Sequence, residues 1–292
     1  MQNPEKISSA EEVIFDVQGT KIAAKVWGPT TGAKVLAIHG WMDNANSFAN
    51  LAPMLDGIRV VAVDTAGHGF SDHRSTDGGY NIWDDLPDLM GVVDQLGWQQ
   101  FSLLGHSRGA IISMLIAGTF PQRVQRAIML DGFWPDPVEP ANAPQQLAKS
   151  ILDRQKLRSV PAYHDSIEPF VKARENGLFK LSPPAARLLA ERNVILTADG
   201  YRWSSDTRLK NASALKLTAA HIEAFVAAIQ AQVKVVIAEQ GIPICSQAYM
   251  DQLRAVPSIA LEIVPGTHHL HLEPESVQRV ADIVKEFICR PS

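Results

Sequence analysis

Val35-Leu36-Ala37-Ile38 and Val60-Val61-Ala62-Val63 are unbroken apolar runs rich in β-branched residues. Such a run suits a strand covered on both faces, the situation of a parallel sheet, because a half-exposed strand would alternate apolar with polar. Parallel strands cannot be joined by a tight turn, so each pair demands a crossover, usually a helix. The sequence supplies these. Ser47–Leu55 has helical spacing after a plausible Ser cap, and Ile82–Leu96 carries a stripe at Leu86, Leu89, Met90, Val93 and Leu96. Phe101–Leu104 reads as a strand, Arg108–Thr119 as a helix and Arg126–Leu130 as a strand. Ahead of them Val13–Val17 and Ile22–Trp27, separated by a turn-like insertion, read as an antiparallel hairpin. The rhythm is that of a mostly parallel α/β sheet.

It stops at Phe133. Trp134-Pro135-Asp136-Pro137-Val138-Glu139-Pro140 is a loop by its prolines, and from Gln145 to about Ala220 the patterns are helical without strand alternation. Strand signals return at Val233–Ala238 and Ile259–Val264, and an amphipathic helix, Glu275–Ile288, closes the chain. Two strands make too small a sheet to stand alone. The expected organisation is therefore one sheet domain built from 1–133 and 223–292, with a helical cap, 134–222, inserted between them. A chain of 292 residues can bury such a core without disulfides or structural metals.

Composition narrows the function classes. Twenty-seven Lys and Arg against 31 Asp and Glu leave a net charge of −4, no field for gripping nucleic acid or an anionic membrane. Cys245 and Cys289 form no CxxC pair. The first residues lack the apolar stretch of a secretory signal, and the longest helical apolar stretch, Ala110–Ala117, is too short to span a bilayer. The expectation is a cytoplasmic enzyme acting on a small molecule.

Gly105-His106-Ser107-Arg108-Gly109 lies between a strand and a helix. A turn so tight leaves no room for side chains at its flanks, hence the two glycines, and it projects the Ser107 hydroxyl from the sheet edge beside the free N–H groups of a helix start. Ser alone is a poor nucleophile until a base takes its proton. Candidate bases cluster in Gly266-Thr267-His268-His269-Leu270-His271-Leu272-Glu273-Pro274. Three histidines could also hold a metal, but no carboxylate-rich or HExxH partner motif accompanies them, so neither metal nor cofactor is expected.

The elbow, the His39-Gly40-Trp41 loop, and the Asp64-Thr65-Ala66-Gly67-His68-Gly69-Phe70-Ser71 turn together resemble the α/β-hydrolase superfamily. His39-Gly40-Trp41-Met42-Asp43-Asn44-Ala45-Asn46-Ser47-Phe48 is especially similar to the serine hydrolase-like proteins. The resemblance covers nearly the whole chain. It implies a mostly parallel eight-stranded sheet with a helical cap inserted after strand six. It also implies an oxyanion hole formed by the main-chain N–H groups of Trp41 and Arg108, and a structural role for Asp64 and His68. Aligning the shared His-Leu-Glu makes His268 the base, with His269 the fallback and His271 a supporting residue. Trp41, besides donating its N–H, would wall the substrate pocket with Phe133.

The acid of the triad follows the nucleophile and precedes the His in this fold. In many relatives it stands two residues beyond an Ala-Glu or Gly-Glu pair; here Ala238-Glu239 leads to Gly241. Other relatives place it after the preceding strand, where Asp131 stands, so Asp131 is the first choice and Glu239 the rival. The implied activity is a serine hydrolase that cleaves a hydrophobic carboxylic ester, thioester or lactone through an acyl-enzyme. The same residues could serve a C–C hydrolase, a perhydrolase or a non-catalytic ligand-binding protein. Ser at position 107, where haloalkane dehalogenases and epoxide hydrolases carry Asp, argues against those two.

Overall fold

Strand β3, Ala33–Ile38, and strand β5, Phe101–His106, lie side by side at the centre of a sheet, and Val35–Ile38 together with all of β5 are buried. The computed structural model describes residues 10–156, 162–242 and 246–290; Cys245 lies outside them. β1, Glu11–Val17, and β2, Thr20–Trp27, form the expected hairpin across Gln18 and Gly19, both in the left-handed region, which matches the twist of a two-residue turn. β4, Ile58–Val63, pairs antiparallel with β2 and parallel with β3. Beyond β5 come β6, Val124–Leu130, then β9, Gln232–Gln240, and β10, Ile259–Thr267, all parallel. The order β1-β2-β4-β3-β5-β6-β9-β10 gives eight strands, antiparallel only at one edge.

Helices α1, Asp85–Gln95, α2, Arg108–Thr119, and α7, Gln247–Arg254, cover one face. The closing helix α8, Val277–Cys289, covers the other with Phe48, Leu51 and Leu55. The helix expected at Ser47–Leu55 is instead two short 3₁₀ turns, Ala45–Phe48 and Ala52–Met54. Pro53 lacks the N–H that a continuous helix would need, and the cap of the first turn is Asn44, which accepts from Asn46 N at 3.0 Å. Ser47 is otherwise engaged, 2.8 Å from His271 Nε2.

Between β6 and β9 lie α3, Ala143–Gln155, α4, Glu168–Glu175, α5, Pro183–Asn193, the hairpin β7, Val194–Thr197, with β8, Gly200–Trp203, and α6, Ala219–Ala228. The hairpin was not anticipated. Its strands are four residues each, too short for periodicity to register. α4, α5 and β7 share a small core of Phe170, Val171, Leu189 and Val194. α6 runs past residue 222 and packs on α2, where a Cβ at Gly118 would overlap the Phe225 backbone carbonyl. Residue 222, the expected end of the cap, falls inside this helix. No helix among the described residues is long and apolar enough to cross a membrane.

A buried ion pair fastens α5 to the sheet. Arg192 Nε lies 3.0 and 2.9 Å from the two oxygens of Asp64, both residues being almost wholly buried. Asp64 also accepts from Ala45 N and Phe70 N at 2.7 and 2.9 Å, while Arg192 lies over the Phe70 ring and reaches Glu12 at 2.7 Å. A Cβ at Gly69 would overlap the Asp64 carboxylate, which explains that glycine. Removing one partner leaves the other charge buried and uncompensated. Arg192→Ala should cost about 3–5 kcal/mol in urea unfolding; a loss below about 1 kcal/mol would show that other contacts hold this joint.

Candidate active site

Four loops leave the carboxyl edge of parallel strands of the one sheet: Gly40–Asp43 after β3, Ser107 after β5, Asp131 after β6 and, one strand further on, His268 after β10. Ligand sites of open α/β sheets form at this edge. Ser107 has φ 52° and ψ −115°, a conformation that costs an L-residue about 1–3 kcal/mol. Its N–H bonds Leu130 O at 2.9 Å. The flanking glycines are required: a Cβ at Gly109 would overlap Ile38 O, and one at Gly105 would press on the Gly109 carbonyl and Ala110 Cα. The Arg108 N–H opens α2 and has no acceptor within the helix, whereas its guanidinium turns aside to Asp85 at 2.6 Å.

Asp131 is also held at positive φ, 47°, and is completely buried. This backbone turn throws its carboxylate across the neighbouring strand. Oδ1 accepts from Ala238 N at 3.0 Å, and Oδ2 accepts from Ile242 N at 2.9 Å and from His268 Nδ1–H at 2.6 Å. A Cβ at Gly241 would overlap that same carboxylate. Asp131 thus fills the space that a side chain at 241 would take, and Gly241 is glycine because the Asp131 carboxylate arrives there from the next strand. Glu239, the rival, is exposed.

His268 is buried, with Phe179 lying against its ring, centroids 4.1 Å apart. Burial lowers its pKa to about 4; neighbouring His106 pushes the same way, and the Asp131 bond opposes both. The ring is therefore neutral at pH 7, with Nδ1 protonated toward Asp131 and Nε2 free to accept a proton. The His268 carbonyl accepts from His106 Nε2–H at 2.9 Å, which anchors the loop. His269 points elsewhere, with Nε2 3.1 Å from Asp43 Oδ2, and His271 is in the core against Ser47.

Ser107, His268 and Trp41 line one cavity of about 460 Å³. Its far wall comes from the segment between β6 and β9, including Arg174, Leu178, Phe179, Trp203 and Lys210. The Trp41 indole is half exposed and donates to Leu209 O at 3.0 Å, so this side chain walls the cavity instead of filling the core. Phe133 does not line it. It is fully buried in the sheet core against Trp134.

The sequence reading passed over Asp43, Asn44 and Asn46. Asn44 Nδ2 donates to Leu189 O at 2.9 Å, Asn46 Nδ2 to Leu188 O at 2.7 Å, and Asp43 Oδ1 accepts from Arg174 of α4. Burial alone would raise the Asp43 pKa, but His269 and the Arg174 guanidinium hold it well below the usual carboxylate range. The Asp-Asn-Ala-Asn run after Trp41 was the available signal, since polar residues so closely spaced must find partners when buried. Phe179 and Arg174 carried none.

The Asp131–Gly241 fit can be checked by proton NMR. A buried His–Asp pair this short should give a strongly downfield Nδ1 proton. Gly241→Ala should remove or shift it by displacing the carboxylate, and Glu239→Ala should leave it in place. An unchanged resonance in Gly241→Ala would refute the steric argument.

The family described as alpha/beta hydrolase fold matches residues 34–273. A serine hydrolase-like protein of Dictyostelium discoideum is 30% identical over 296 residues, covering 94% of this chain and 81% of its own. Human serine hydrolase-like protein 2 is 30% identical over 286 residues, covering 91% and 90%. The crystal structure of a hypothetical protein from Pseudomonas aeruginosa superposes with a TM-score of 0.92 at 41% identity, covering 96% of this chain and all of that one. With its strand order, its elbow serine and these relatives, the chain belongs to the α/β-hydrolase family, close to the serine hydrolase-like proteins.

Proposed function

We propose that this hydrolase-family chain is a serine hydrolase that cleaves a carboxylic ester, thioester or lactone through an acyl-enzyme, with Ser107 as nucleophile, His268 as base and Asp131 as the acid. The observation that carries the reading is the 2.6 Å Asp131–His268 bond, made by a His that shares its cavity with a serine on a strained turn.

In this mechanism Ser107 Oγ attacks the acyl carbon as its proton passes to His268 Nε2. Asp131 holds the imidazole in the tautomer that can accept there and stabilises the imidazolium. The oxyanion is received by the main-chain N–H groups of Trp41 and Arg108; one such donor is worth about 3–4 kcal/mol. His268 returns its proton to the leaving group as the tetrahedral intermediate collapses to the acyl-enzyme. Water then attacks that ester, giving its proton to His268, and the acid leaves as Ser107 is reprotonated. The cavity volume of about 460 Å³ suits a small to medium acyl group, and Trp41, Leu178, Phe179 and Trp203 offer it apolar surface. Asn193 and Lys210 add polar contacts at the same wall.

Labelling by a fluorophosphonate probe separates this reading from a ligand-binding protein on the same scaffold. Wild type should label and Ser107→Ala should not. Turnover of a nitrophenyl ester should drop on the order of 10⁶-fold in Ser107→Ala, as when the nucleophile of a serine protease is removed. No labelling of the wild-type protein, or full activity in the mutant, would end the proposal.

The acid is tested by a pair of substitutions. Asp131→Asn should keep the fold and lower kcat by roughly 10⁴-fold by favouring the wrong tautomer. Glu239→Gln, at an exposed position, should change it little. The reverse pattern would transfer the role to Glu239.

A further inference from the structure

Behind the proposed triad, three elements distant in sequence bring metal-ligating atoms together. Asp43 Oδ2, His106 Nδ1 and His269 Nε2 all lie within 4.8 Å of one another, and all three residues are buried. His269 Nε2 is 3.1 Å and His106 Nδ1 3.6 Å from Asp43 Oδ2. Ligands held at 2.0–2.1 Å around a tetrahedral zinc stand roughly 3.3 Å apart, so these two edges already fit. The third edge, between the two imidazole nitrogens, is no longer than 4.8 Å.

His106 makes the strongest argument. Its Nε2–H donates to the His268 carbonyl at 2.9 Å, which leaves Nδ1 as a lone pair. That lone pair is fully buried, has no hydrogen-bond partner among the described residues, and faces an ionised carboxylate oxygen. Two acceptors facing each other in the interior repel unless a proton or a metal cation lies between them. An imidazole that gives its other N–H to a backbone carbonyl is also the usual arrangement of a metal-bound histidine.

The surroundings agree. Arg174 occupies Asp43 Oδ1 and leaves Oδ2 to the two imidazoles, so the carboxylate is oriented toward them. His269 Nδ1 has no partner among the described residues and can take the ring proton when Nε2 coordinates. A Cβ at Gly40 would press on both His106 Nδ1 and Asp43 Oδ2, at 2.9 and 3.0 Å, so only glycine leaves this corner open. Asp43 and His269 line the active-site cavity, which gives a route in and a water as fourth ligand.

We propose that Asp43, His106 and His269 form a binding site for a first-row divalent transition-metal cation, with zinc as the best match to two imidazoles and one carboxylate. Occupancy would tie the oxyanion loop, the nucleophile strand and the His268 loop to one ion. The proposal does not depend on the chemistry assigned to Ser107.

The test is calorimetric titration of chelator-treated full-length protein with Zn²⁺, joined to the visible spectrum of the Co²⁺ form. A single equivalent should bind, and Co²⁺ should show the intense bands of low-symmetry four-coordination. His269→Gln, which still offers Asp43 an N–H, should weaken binding roughly tenfold or more. Asp43→Asn should do the same; if that variant fails to fold by circular dichroism, His269→Gln decides alone. Ser107→Ala and His268→Ala should bind as wild type. Absence of binding, binding unchanged in His269→Gln, or binding lost in His268→Ala would overturn the site, the last by placing the ion on the proposed base.

Discussion

Everything at the candidate site follows from the common direction of five strands. Because β3, β5, β6, β9 and β10 run parallel, their carboxyl ends share one edge, and the turns that leave them must emerge within a few ångströms of each other. Groups separated by 137 positions in sequence, Asp131 and His268, meet there without long loops. Two of the turns carry strain, Ser107 at φ 52° and Asp131 at φ 47°. Each is compensated by the sheet: the N–H groups of both residues bond a neighbouring strand, to Leu130 O and Val236 O. The ladder on either side is too extensive for these residues to relax independently.

A second constraint is the polar joint between the sheet and the segment from β6 to β9. It is made of buried charges and amides: Asp64 with Arg192, Asp43 with Arg174, and Asn44 and Asn46 on the carbonyls of α5. A joint of this kind contributes less net stability than apolar packing would, since each group gives up water. It does fix orientation, because directional bonds accept one docking geometry and leave buried atoms unpaired in others. The same loop that presents the Trp41 N–H therefore also positions the wall opposite it.

The elements that were legible in the sequence are those whose signal is local. The buried strands announce themselves by continuous apolar runs, the elbow by two glycines around a serine, and the hairpin by Gln18-Gly19. The preference for Asp131 over Glu239 rested on a resemblance and an absence at Gly241; the structure shows the Asp131 carboxylate occupying the space that a side chain at 241 would take. Ser47–Leu55 misled because its apolar spacing satisfies a helix while Pro53 and the Asn44 cap divide it. Phe133 misled because an aromatic residue where the cap begins can turn into the sheet core as well as into the pocket, and here it is in the core.

What the sequence determined by itself is the sheet class, the glycine-flanked serine turn and the set of candidate histidines, since each depends on residues within a few positions of one another. Only the tertiary structure decided which histidine meets which carboxylate. His268 takes Asp131, His269 takes Asp43 and His271 takes Ser47, three neighbours sent to three partners. That sorting is set by the direction of each side chain as the loop leaves β10 and by which strand lies opposite. Both depend on contacts across more than a hundred residues, to which no local pattern corresponds.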